Sequence, residues 1–232
     1  MTLQKRYYWN TIQVVLATAI GRVAQTGTAL DVVDPNDPIT ILAPLVAVLA
    51  AVAVAYMPRR IGQDTRLWRT IRGLLPYVDA AARDRGFYTT YEIDPAEDTV
   101  GVWHGSLESL ESALEAEGYR LGPLAAHKSL PDGRQELGSW VDLGDRISPR
   151  WLEALRLMVT PWQTHITLFE ADDTDDQYLV TAHHERSAYS PLTAYWHLRA
   201  RDYSPSRGVE IVSEHLADRE RFEVLTNTPD QL

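Results

Sequence analysis

Residues 162–185 read WQTHITLFEADDTDDQYLVTAHHE, two nine-residue arms around an acidic break. Aromatic and β-branched residues crowd both arms, and Asp172–Asp176 is aspartate throughout except for Thr174. That pattern predicts a β-hairpin, Trp162–Glu170 paired with Gln177–Glu185. With Thr174 at the centre of the turn, His165 faces His183, Thr167 faces Thr181 and Phe169 faces Leu179, all on one surface. Glu185 falls two residues beyond His183, on the same surface.

Two imidazoles and a carboxylate on adjacent strands are a donor set for zinc or a related transition metal, with positions left for water. His165, His183 and Glu185 are therefore the candidate metal ligands. A slip of one residue in register would separate them. No HExxH spacing supports the site, and histidines packing against a helix layer are the competing reading. The aspartate turn lacks the glycine and terminal glutamate of an EF-hand loop, so it reads as a solvated turn.

The hairpin-then-helix plan recurs upstream. Phe87–Ile93 and Thr99–Trp103 flank a turn at 94–98, followed by a helix from Leu107 to Glu117 with Ser106 as cap and Gly118 as stop. Tyr119–His127 and Gln135–Leu143 flank Pro131-Asp132-Gly133, and Ser148-Pro149 opens a helix to Met158. After the third hairpin, Ser190-Pro191 opens another. Ser106, Ser148 and Ser190 stand 42 residues apart each time. The expected fold is α+β: an antiparallel sheet of about six strands built from three ββα units, with helices on one face. A last helix runs from Pro205 to Ala217, and residues 226–232 read as a frayed tail.

Residues 39–57, ITILAPLVAVLAAVAVAYM, carry no charge and one polar side chain, Thr40. At about 1.5 Å per residue such a helix matches a bilayer core of about 30 Å, so a transmembrane helix is expected there. Residues 7–24 hold a weaker apolar segment, either a first transmembrane helix or an amphipathic one on the surface. Residues 1–60 thus read as a membrane anchor, 61–86 as a basic juxtamembrane helix and 87–232 as an acidic domain. Arg59, Arg60, Arg66, Arg69 and Arg72 form a collar suited to anionic lipid headgroups. Lys5 and Arg6 before the first segment, and Arg59 and Arg60 after the second, place the C-terminal domain in the cytoplasm.

Charge is divided accordingly. Residues 1–85 hold ten basic and six acidic side chains, net +4, and residues 86–232 hold 12 and 26, net −14. Only two of the 22 basic residues are lysines, Lys5 and Lys128. Carboxylate excess with lysine nearly absent resembles the composition of proteins from extreme halophiles, where molar salt shortens the Debye length to about 3 Å. Under such screening, phosphate contacts are weakened, and nucleic acid is not an expected partner. The chain has no cysteine, which excludes thiol catalysis, thiolate metal sites and disulfides. No P-loop, dinucleotide-binding glycine pattern or nucleophile elbow occurs, and no cofactor is implied.

The resulting expectation is a membrane-anchored, non-enzymatic protein of an extreme halophile or its virus. Its cytoplasmic domain would bind a protein partner or further copies of itself. Two other readings stand beside it: a membrane-tethered metal-dependent hydrolase using His165, His183 and Glu185, and a soluble structural subunit of a large viral assembly in which the apolar helix is buried.

Overall fold

The computed structural model describes residues 38–56, 93–122, 128–144, 147–171 and 176–225. Segment 7–24, the arginines at 59, 60, 66, 69 and 72, residues 87–92 and the tail 226–232 lie outside them. The elements in chain order are α1 (Pro38–Tyr56), α2 (Pro95–Asp98), β1 (Thr99–His104), α3 (Leu107–Ala116), β2 (Tyr119–Leu121), β3 (Gly138–Asp142), α4 (Arg150–Val159), β4 (Trp162–Glu170), β5 (Gln177–Arg186), α5 (Ala194–Leu198), α6 (Pro205–Leu216) and β6 (Phe222–Val224).

The strands form one six-stranded antiparallel sheet in the order β2-β3-β4-β5-β1-β6. The architecture is α+β, as the sequence implies. The β4–β5 hairpin is its longest ladder, and its register is the expected one: His165 pairs with His183, Thr167 with Thr181, and Phe169 with Leu179. The first expected hairpin is not seen among the described residues. β1 pairs instead with β5 on one side and with β6 on the other, and Ile93 is not in a strand. The three-unit plan therefore describes the middle of the sheet and not its edge.

Helices cover both faces, which corrects the expectation of one. Facing residues share a side, so Trp140, Ile166, Leu168, Val180 and Ala182 look one way. They pack with Leu110 and Leu114 of α3 and Val212 and Leu216 of α6. The opposite side carries Val141, which packs with Leu157 of α4 and Ala50 and Ala51 of α1, and Phe169 with Leu179, which close over Ile93 and Leu130.

Local chemistry explains most helix ends. Ser106 accepts a hydrogen bond from the Ser109 amide and Ser204 one from the Arg207 amide, as N-caps do. Gly118 stops the chain beyond α3 with φ of +88°. Two expected caps fail. At Ser148-Pro149 the peptide is cis, Pro149 is the N-cap of α4, and no side chain caps it. Ser190 sends its hydroxyl to the Met158 carbonyl at 2.7 Å, and α5 begins at Ala194, behind Thr193 as N-cap.

Helix α1 covers nearly the expected apolar run. Side chains are described for residues 44–52 and 55 only, and among the described residues no helix is long and apolar enough to cross a membrane. It packs on the α+β domain: Ala47 meets Ala194 of α5, and Ala50 and Ala51 meet the α4 cluster. Arg150 donates to the Ala55 carbonyl at 2.8 Å, placing a cation at the negative end of the helix dipole.

Candidate functional site

His165, His183 and Glu185 come together as the register requires. His165 Nδ1 lies 3.1 Å from His183 Nε2, and Glu185 Oε1 lies 3.5 Å from each nitrogen. The two rings meet edge to face with centroids 4.8 Å apart. All three side chains are buried, none more than 4 % exposed. Their face looks polar in sequence, yet His197 of α5, Asp98, Tyr203 and the buried Lys128 close around it.

Around this triangle stands a ring of groups not assigned from sequence. Gln163, the strand partner of Glu185, donates its Nε2 to Glu185 Oε1 at 2.8 Å. Its Oε1 accepts from the Ala188 amide at 3.0 Å, so the amide is held at both ends. On the other carboxylate oxygen, His197 Nδ1 of α5 lies 3.2 Å from Glu185 Oε2 and 3.0 Å from the Arg186 carbonyl. Behind His183, Asp98 Oδ1 lies 4.0 Å from Nδ1, and Asp98 accepts from the Tyr203 hydroxyl at 2.5 Å and the Asp94 amide at 2.8 Å. The Tyr203 ring sits over the His183 imidazole with centroids 4.7 Å apart.

The signal for Gln163 was present in the register, since it faces Glu185. Asp98 and His197 come from elements whose approach to the hairpin depends on tertiary packing. Lys128, one of the two lysines, is also buried here, within the field of Glu185, Glu136 and Asp98.

Burial pushes His183 down to about 3, reinforced by the Lys128 charge. It also lowers His165, against the opposing hydrogen bond with Glu185. Both imidazoles are therefore neutral near pH 7 and keep lone pairs for a ligand. Burial works against the Glu185 carboxylate, but the charge of His197 and contacts with the other two histidines outweigh it, holding the group well below the ordinary carboxylate value. His197 is raised for the reciprocal reason: the Glu185 charge overcomes its burial. Lys128 is lowered by burial despite its three acidic neighbours.

A second feature lies on α1. Ala47, Ala50, Ala51 and Ala55 face the domain, whereas Leu45, Val46, Leu49 and Val52 are between 41 % and 62 % exposed. Both sets follow helical spacing, so the small residues form the inner stripe and the large apolar ones the outer.

The chain matches no family model, no curated protein and no solved structure.

Proposed function

We propose that the protein is a membrane-associated, non-enzymatic module of a salt-loving cell or its virus. In this reading α1 meets the hydrocarbon, and the acidic α+β domain, on the cytoplasmic side, binds a protein partner or further copies of itself. The inverted burial of α1 carries the reading. A helix in a water-soluble domain turns its largest apolar side chains inward. α1 does the reverse, putting alanines against the domain and Leu45, Val46, Leu49 and Val52 outside. In lipid this order is the expected one, because small residues let helices approach closely and hydrocarbon solvates the rest. Covering four such half-exposed side chains is worth about 1 kcal/mol each.

The neighbours of α1 favour seating at the membrane boundary over a lone crossing. α4 and α5 run beside it and bring Glu153, Arg156 and His197 with them. Leu152 and Val159 of α4 add exposed apolar surface next to it. Arg59 and Arg60 follow in sequence, suited to headgroup contact. The hydrolase alternative needs substrate to reach the triangle, and the burial of His165, His183 and Glu185 favours a holding role for them.

Flotation of the full chain with liposomes in molar KCl tests the proposal. The wild type should rise with the vesicles, and Leu45→Gln/Leu49→Gln should stay behind while keeping the domain folded. A wild-type chain that remains soluble without lipid would overturn it, and its assembly size would then show whether other copies cover the outer stripe.

A further inference from the structure

We propose that His165 Nδ1, His183 Nε2 and Glu185 Oε1 bind one divalent transition ion of the zinc class, held inside the fold as a structural centre. The three atoms form a triangle with sides of 3.1, 3.5 and 3.5 Å. Three donors around a tetrahedral ion, each about 2.0–2.2 Å from it, stand about 3.3–3.6 Å apart. The triangle therefore has the size of one face of a zinc tetrahedron without any strand having to move.

Protons alone serve this arrangement badly. All three atoms border one small volume, and the carboxylate oxygen can only accept. A proton on either imidazole nitrogen can lean toward both of the other atoms, but it leaves those two acceptors facing each other. Protonating both nitrogens sets two N–H groups against each other across 3.1 Å. A cation is a partner that all three donor atoms can share at once.

The surrounding groups are those expected around a ligand set. Gln163 fixes Oε1 of Glu185, Asp98 stands behind the far nitrogen of His183, and Tyr203 holds Asp98. The donor set, two nitrogens and one carboxylate oxygen, suits zinc, cobalt or nickel and is too nitrogen-rich for calcium or magnesium. Because the site is sealed, loading accompanies folding, and the ion would tie β4 to β5 at the end of the hairpin remote from its turn. The proposal is independent of the membrane reading, and neither result decides the other.

The test uses the full chain in mild detergent, unfolded with chelator and refolded with Zn²⁺ or Co²⁺. We expect one ion retained per chain, a tetrahedral Co²⁺ visible spectrum and a higher Tm with metal than without. Glu185→Gln and His165→Gln should each weaken retention at least about tenfold. His104→Gln, at the exposed His104–Glu223 pair, should leave it unchanged. X-ray absorption at the zinc edge of the wild-type chain needs no variant and should count two imidazoles in the first shell. No ion retained at micromolar metal, an imidazole-free shell, or equal retention by folded ligand variants would each overturn the proposal.

Discussion

Gly208 of α6 rests directly on the backbone of His183: a Cβ placed on it would stand 2.2 Å from the His183 Cα and 2.5 Å from its nitrogen. Helix and strand touch there main chain to main chain, and only glycine allows it. Gly208→Ala should therefore push α6 off β5 and cost about 3 kcal/mol. Because His183 is the residue displaced, the same variant should also lose metal retention. Denaturant unfolding with and without Zn²⁺ checks both effects. A variant as stable as wild type would contradict this main-chain contact.

Arg120 of β2 forms an ion pair with the buried Glu153 of α4. Arg120 Nη1 bonds Glu153 Oε1, and Nη2 donates to the Leu143 and Gly144 carbonyls, 3.1 Å from each. Glu153 is fully buried, so Arg120→Met strands a carboxylate and should cost about 3–5 kcal/mol. Arg120→Met/Glu153→Leu removes both charges and should recover most of that. A double-mutant cycle in urea measures the coupling, and simple additivity of the two single losses would contradict the pairing.

The register of the central hairpin was legible because its arms have equal length and one turn centre satisfies both, which also placed His165, His183 and Glu185 together. What covers that face was not legible. Period-2 alternation puts Gln163, His165, Thr167 and Thr181 on one polar surface, and helices were expected on one face of the sheet only. These side chains are buried, and the groups near them, such as His197 of α5, Asp98 and Lys128, arrive by tertiary contacts that leave no local pattern. The β6 edge strand is three residues long and too short to show alternation. Ser148 and Ser190 resembled Ser106, but Pro149 is itself the N-cap of α4 and the Ser190 hydroxyl goes to Met158, so neither serine caps a helix. The 42-residue spacing was thus no guide to cap chemistry.

The two stripes of α1 should respond oppositely to substitution. Ala51 is fully buried, in one cluster with Val141, Leu157 and Tyr189, so Ala51→Leu overfills the contact and should cost about 1–3 kcal/mol. Leu49 is 62 % exposed, and Leu49→Gln should change stability by less than about 0.5 kcal/mol. Thermal unfolding of the detergent-solubilised full chain compares them. Equal losses would mean that α1 does not pack through its alanine stripe.

Stability should fall as pH drops below 6.5, measured with chelator present. His165, His183 and His184 are each lowered from 6.5, with burial the largest cause in every case. Below pH 6.5 the unfolded chain takes up protons at these positions while the folded one resists, His183 until about pH 3. Their contribution is thus fully present above 6.5 and lost as pH falls, at about 1.4 kcal/mol per pH unit for each net proton. Glu185, held well below 4.5, adds a contribution lost at still lower pH. Asp98, raised from 3.8 by burial, offsets part of the acid loss, because its contribution grows as pH falls toward 3.8. On the alkaline side His197 acts in the other direction: its raised value stabilises below 6.5, and that gain disappears as pH rises through its folded value. Urea midpoints at pH 8, 7, 6 and 5 should trace the acid loss, and His184→Gln should make that limb shallower. A midpoint that rises steadily on acidification would mean that these histidines are charged in the folded chain, and the neutral imidazoles assigned to the centre would be wrong.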